Sequence, residues 1–159
     1  MSLRRHALAI GLLPVVVTLV VPAAIVRQDR PVEVRWALAL PGAVLIGAGL
    51  ALVVWTIVLF GTVGKGTLAP WDPTSRLVVR GPYRHVRNPM ISGVLGILLG
   101  EAVLLGSVPL LVWFSLVFAV NAVYMPLVEE PGLRRRFGED YETYKANVPR
   151  WVPRLRPWP

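Results

Sequence analysis

Asn88-Pro89-Met90-Ile91-Ser92-Gly93-Val94-Leu95-Gly96-Ile97-Leu98-Leu99-Gly100-Glu101-Ala102-Val103-Leu104-Leu105-Gly106-Ser107-Val108-Pro109 runs from one helix-start signal to the next. Asparagine is a favoured N-cap, and proline suits the first helical position, where its missing N–H has no partner to lose. Gly106-Ser107-Val108-Pro109 reads as a turn. Between these signals Glu101 is the only charge. Beyond them Val108–Val128 is apolar again, with Asn121 as its amide. The pattern predicts a tight helical hairpin, one helix over 89–105 and the next over 108–128. Gly93, Gly96 and Gly100 leave the first of them open to close approach by another backbone or a ligand. Glu101 is expected to reach the outer interface, with polar pairing inside the bundle as the alternative. Asn121 is expected to bond between helices.

Two apolar runs precede this hairpin. A helix needs about 20 residues to cross roughly 30 Å of hydrocarbon. Ala7–Val26 and Trp36–Phe60 meet that length. The first contains Pro14 and Pro22, which neighbouring helices can accommodate in a bilayer. Arg4 and Arg5 ahead of it also suit a signal peptide, but the run exceeds the usual apolar region of about 7–15 residues, so a retained span is expected. The second carries Gly42, Gly47 and Gly49, which are expected to allow close helix packing. The composition agrees. Charged residues are 16% and apolar residues 55% of the 159, with mean hydropathy +0.59. Soluble domains carry about 25% charged residues.

The expected architecture is therefore all-α: a polytopic integral membrane protein forming one domain. About four transmembrane helices are placed at 7–26, 36–60, 89–105 and 108–128. A loop spans 61–88, and the tail spans 129–159. Fourteen of the 17 basic residues lie before residue 7, in the 61–88 loop or in the tail. Four spans put these segments on one side, and the positive-inside rule makes it cytoplasmic. A bacterial or archaeal cytoplasmic membrane is the expected location. The tail has Leu133, Phe137, Tyr141, Tyr144 and Val148 at helical spacing. This predicts an amphipathic helix over 129–148. Trp151 and Trp158 suit an interfacial belt.

Several chemistries are excluded or disfavoured. There is no cysteine, so disulfides, thiolate metal sites and cysteine nucleophiles are absent. His6 and His85 are too few for a histidine-rich metal centre, and no metal is expected. The net charge of +8 fits basic loops on anionic lipid better than nucleic acid, because the basic segments lack interleaved stacking aromatics. Gly61-Thr62-Val63-Gly64-Lys65-Gly66-Thr67 has the wrong spacing for a phosphate loop.

Two segments remain that can carry chemistry. Leu77-Val78-Val79-Arg80-Gly81-Pro82-Tyr83-Arg84-His85-Val86-Arg87 leads into the Asn88-Pro89-Met90-Ile91 helix start. A helix N-terminus presents free N–H groups and partial positive charge, suited to a carboxylate or a polar nucleotide group. The alternative is a plain capped helix with its arginines on headgroups. Glu129-Glu130 closes the fourth span. These acids either open the tail helix, where negative charge is favoured, or hold a cation or ribose hydroxyls. His85 is the one candidate general base, weighed against a headgroup-facing histidine.

Leu77-Val78, Gly81-Pro82-Tyr83 and Val86-Arg87-Asn88-Pro89-Met90-Ile91-Ser92-Gly93, followed by Glu129-Glu130, Leu133, Phe137-Gly138, Tyr141, Tyr144 and Val148-Pro149, resemble the isoprenylcysteine carboxyl methyltransferases and related phospholipid methyltransferases. The resemblance covers about residues 74–156. It implies an S-adenosylmethionine-dependent membrane enzyme with a lipid or other lipophilic acceptor and a cofactor site closed by the tail. It further implies that Leu77, Val78, Tyr83, Asn88, Pro89, Met90, Ile91 and Glu129, with Glu130, contact the cofactor. The family usually has histidine at Asn88 and tyrosine at Ile91. Its eukaryotic prenylcysteine enzymes have arginine, for the substrate carboxylate, at Met125. The competing function is a non-enzymatic four-helix transporter or assembly protein relying on Glu101 or Asn121.

Overall fold

The computed structural model describes residues 14–28, 36–64 and 77–159. Residues 7–13 of the expected first span and residues 65–76 of the long loop lie outside the described residues. The described elements are helical: α1 (Val16–Gln28), α2 (Trp36–Leu59), α3 (Pro89–Leu105), α4 (Val108–Tyr124) and α5 (Glu130–Asn147). A short 3-10 turn covers Gly81–Arg84. Two helical stretches are long and apolar enough to cross a membrane, Trp36–Val63 and Val108–Asn147. Val16–Gln28 and Pro89–Leu105 are shorter apolar helices.

α3 is short because it is the inner helix, not because it is marginal. Val94, Leu95, Ile97, Leu98 and Ala102 are all buried. Val53 of α2 joins Val94, Ile97 and Leu98 in the core, and Val17 from α1 with Trp113, Phe114 and Val117 from α4 packs on them. The Trp113 indole also donates to the Val17 carbonyl at 3.0 Å, which ties α1 to α4.

The α2–α3 contact is an antiparallel seam of glycines. A Cβ on Gly49 would lie 2.5 Å from the Gly93 carbonyl oxygen, and one on Gly93 would lie 2.7 Å from that of Gly49. One turn pair away, a Cβ on Gly100 would lie 2.7 Å from the Gly42 oxygen. The pairs recur at heptad spacing on both helices, so backbone meets backbone along the contact. Gly47 is different. Nothing lies within 4 Å of its missing Cβ, so the expected close approach does not include it. Gly96 makes only ordinary contact, 3.6 Å from the Gly49 Cα. Gly49→Ala should therefore cost about 1–3 kcal/mol, since the obstructing atom is backbone and cannot rotate away. Gly47→Ala should be neutral within about 1 kcal/mol. Thermal unfolding of the two variants in one detergent checks this pair, and equal losses would contradict the seam.

The hairpin ends are made by local chemistry. Gly106 adopts φ 56°, a left-handed conformation that ends α3, and Ser107 N–H reaches the Ala102 carbonyl at 3.1 Å. Ser107 Oγ then accepts the Leu110 N–H at 3.4 Å to start α4. At the other end of α3, Asn88 stands at the N-cap position but its side chain does not cap.

Two expectations are corrected at the tail. α5 has the expected bounds to within one residue at each end, but it has no separate start at Glu129. α4 continues through a π-helical turn, Met125–Glu129, straight into α5. Pro126 and Pro131 lack the N–H groups that an unbroken α-ladder would use there, and the wider turn accommodates them. Nor is the tail one amphipathic helix. Gly138 turns to φ 54° and ψ −127°, which interrupts α5. Its two halves close on each other, so Leu133 and Phe137 pack against Tyr141, Tyr144 and Val148. The apolar row seen in the sequence is thus a small core rather than a lipid-facing stripe. Asn121 is also corrected: its amide donates to Val117 O of its own helix at 2.8 Å.

Candidate functional site

Four pieces of chain meet where α3 begins: the 77–88 turn, the first turn of α3, the π-turn below α5 and the C-terminal strap, residues 148–159. The turn is shaped by Gly81, which adopts φ 54° and packs against the Trp55 ring. Leu77 packs on the Tyr141–Tyr144–Val148 cluster, and Val78 is buried. Tyr83 is buried with its ring edge-on to Phe60, centroids 5.6 Å apart, and its carbonyl accepts the Tyr144 hydroxyl at 2.7 Å. Burial first, then Tyr144 and Glu129, push the Tyr83 hydroxyl far up, so it stays a neutral phenol.

Asn88 uses its amide on Met125, with Nδ2 2.7 Å from Sδ. This contact joins the start of α3 to the π-turn of α4. The first bond of the α3 ladder is Ser92 N–H to Asn88 O at 3.0 Å, so the amides of Met90 and Ile91 precede it. Pro89 is buried, while Met90 and Ile91 are half-buried.

The adjacent glutamates have opposite surroundings. Glu130 is buried and saturated with cations. Its Oε1 takes Arg87 Nη1 at 3.0 Å and Arg150 Nη2 at 2.6 Å, and its Oε2 takes Lys145 Nζ at 3.0 Å. Burial alone would raise its pKa, but Lys145, Arg87 and Arg150 outweigh that and hold it below the usual carboxylate range. Arg87 also lies 3.5 Å from the Tyr141 hydroxyl. A group so engaged serves as a hub between turn, tail and strap, not as a free ligand for a cofactor. Glu129 is half-buried, and among the described residues none lies within hydrogen-bond or ion-pair distance of its carboxylate. Burial and the Glu130 charge raise its pKa, with Arg136 partly opposing.

His85, expected either at headgroups or as a base, is held by the strap through one ring nitrogen. Its Nδ1 lies 2.7 Å from the Arg154 carbonyl, which can only accept, so Nδ1 carries the proton and Nε2 alone stays basic. The strap repeats such contacts along the turn. Arg87 N–H bonds Pro149 O, Arg154 N–H bonds His85 O, and Trp158 N–H bonds Arg84 O, each at 2.9 Å. The Arg84 guanidinium closes on the Trp158 carbonyl. Trp158 packs tilted against Tyr144, centroids 5.9 Å apart, and so takes part in this clamp.

The structure brings Leu77, Val78, Tyr83, Asn88, Pro89, Met90, Ile91, Glu129 and Glu130 to one end of the helices, although 38 residues separate Ile91 from Glu129. Sequence reasoning missed Arg87, Met125, Lys145 and Arg150 as parts of it. The one available signal was the surplus of cations around two adjacent acids.

No curated protein and no solved structure matches the chain. A model of the phospholipid methyltransferase family matches residues 37–140, about two thirds of the chain. The match takes in the turn, the first turn of α3, the π-turn and both glutamates, and leaves out Lys145 and the strap with Arg150. The chain therefore belongs to the phospholipid methyltransferase family, as a membrane methyltransferase with a lipid-related acceptor.

Proposed function

We propose that the protein transfers a methyl group from S-adenosylmethionine to a lipophilic acceptor at the cytoplasmic face of the bilayer. The observation that carries this is the Glu129 carboxylate beside the start of α3, which has no partner among the described residues, with Glu130 wholly occupied. One carboxylate and one helix N-terminus are complementary to an amino acid–nucleoside: the acid suits its ammonium or ribose hydroxyls, and the Met90 and Ile91 amides suit its carboxylate. The residues present therefore fit the cofactor. Leu77 and Val78 would cover its apolar parts, and the neutral Tyr83 hydroxyl can donate to it.

When bound, S-adenosylmethionine supplies a methyl group activated by a sulfonium. What these residues contribute is position: a donor and acceptor held in line, with water kept out. Met125 is fully buried against Asn88 and offers no charge to a carboxylate. This favours a neutral nucleophile over a prenylcysteine carboxylate. In the proposed topology α1 and α3 also span the membrane. α3 at 17 residues is about 25 Å long, and its place inside the bundle compensates for its length. The basic residues of loop and tail put this end in the cytoplasm.

Calorimetry of the purified protein should show S-adenosylmethionine binding, and lipid extracts incubated with labelled cofactor should gain label in one lipid class by mass spectrometry. Absence of binding removes the proposal. Affinity should hold at neutral pH and fall on acidification, because binding needs the charged form of Glu129. With its pKa raised, the fall should begin above the pH at which an ordinary carboxylate titrates. An acid limb that persists in Glu129→Gln would assign it to another group.

A further inference from the structure

The strap has one side that the site does not use. Arg150 and Trp151 are neighbours in sequence but reach opposite ways. Arg150 enters the Glu130 hub, while the Trp151 ring packs on Phe118 of α4, centroids 5.4 Å apart. Phe118 is seven residues before Met125, about 10 Å along the helix. Phe118 is itself 41% exposed, on a helix long enough to cross a membrane whose other side carries the exposed Leu116, Val120, Val123 and Leu127. Trp151 thus rests on an exposed side chain of that helix. Past it, Val152 is 75% exposed and Leu155 is 99% exposed. Pro149, Pro153, Pro157 and Pro159 remove backbone donors from the same segment, which lowers the cost of leaving water. Arg154 and Arg156 flank Leu155. The Arg154 guanidinium is held by the Asn147 carbonyl, while Arg156 is exposed. Exposed apolar side chains beside a helix long enough to cross a membrane, followed by an exposed arginine, match one occupant: the acyl and phosphate layers of an anionic leaflet.

We infer that the 151–156 segment docks into the bilayer surface, with Val152 and Leu155 among acyl chains and Arg156 at lipid phosphates, and thereby latches the Arg84–Asn88 turn. The latch follows from the backbone bonds between the strap and Arg84, His85 and Arg87. Lipid contact therefore holds the start of α3 in place. The lipid contact depends on the membrane placement of α4 and not on methyl transfer, so the two stand or fall separately.

The chain has no cysteine, so Leu155→Cys gives a single attachment point for an environment-sensitive fluorophore, at a side chain that packs on nothing. Glu139→Cys, exposed on the tail, is the control. The full chain is placed in vesicles of phosphatidylcholine with phosphatidylglycerol, with or without brominated acyl chains. The label at 155 should shift to the blue and lose emission on bromination, while that at 139 should not. Replacing phosphatidylglycerol by phosphatidylcholine should weaken the quenching by about fivefold in binding terms, one arginine's share at an anionic surface. Equal quenching at 155 and 139 overturns the lipid contact. Quenching that ignores phosphatidylglycerol overturns the role of Arg156. A blue shift that grows with protein density and ignores bromination overturns it in favour of a second copy of the chain. In the same vesicles, hydrogen exchange at the Arg87, Arg154 and Trp158 amides should quicken roughly tenfold in the Val152→Asp/Leu155→Asp double variant. Unchanged exchange there overturns the latch.

Discussion

Glu129→Gln should lower the affinity for S-adenosylmethionine roughly 10- to 150-fold and leave the unfolding temperature where it was. The range is that of a lost hydrogen bond to a charged group, about 1.5–3 kcal/mol. The substitution keeps the shape of the side chain and removes its charge. Nothing in the described fold depends on that charge, because no described residue is paired with it. Its loss also relieves repulsion with Glu130, which contributes to the raised pKa. Calorimetry and thermal melting on one preparation separate the two quantities. Full affinity in a folded Glu129→Gln protein would sink the assignment of this residue to the cofactor. A parallel fall in affinity and stability would show instead that Glu129 belongs to the scaffold.

Glu130→Gln, one residue away, should behave in the opposite way and cost about 3–5 kcal/mol of stability. The reason is Arg87. Its side chain is 10% exposed and that of Glu130 is 8% exposed, so the substitution leaves a buried guanidinium without its counter-charge. Lys145 at 40% and Arg150 at 25% are wetter, and their pairs contribute less. The loss should appear first as loosening of the tail, because the hub joins the turn, the second half of α5 and the strap. Limited proteolysis within 139–159, followed alongside thermal unfolding, reads this directly. Arg87→Met combined with Glu130→Met should recover much of the stability, since an apolar pair leaves no stranded charge. No recovery would mean that the hub matters for more than compensation. The pH dependence separates the glutamates too. Glu130 has a lowered pKa, so its contribution is present above its ordinary titration near pH 4.5 and is lost as pH falls through the lower folded value. Loosening of the tail should therefore need stronger acid than loss of cofactor affinity.

How legible this molecule is in its sequence depends on how far apart the cooperating residues lie. Asn88-Pro89 and Gly106-Ser107 mark helix limits because a missing N–H, a left-handed glycine and a capping hydroxyl act within one turn. The row Leu133, Phe137, Tyr141, Tyr144 and Val148 was legible as a set that packs together, but not as two half-helices folded on each other at Gly138. Helical spacing identifies which residues share surroundings. It does not reveal a single glycine that reverses the chain. Among the α2 glycines, Gly47 and Gly49 look alike in sequence, and only the register against α3 distinguishes the open position from the one pressed on Gly93.

The site divides in the same way. Apolar run lengths, the helix start at Asn88, the adjacent acids and the absence of cysteine are properties of neighbouring residues, and they are enough to mark the helical class and the two candidate segments. Which acid the cations engage depends on tertiary structure. Arg87 and Arg150 lie 43 and 20 residues from Glu130 along the chain, and both reach the same carboxylate oxygen. Each contact exists only once α3, α5 and the strap have packed, and their combined charge engages Glu130 while Glu129 has no partner among the described residues. A side chain's reactivity depends on the charge and dielectric around it, and here both come from residues distant in sequence.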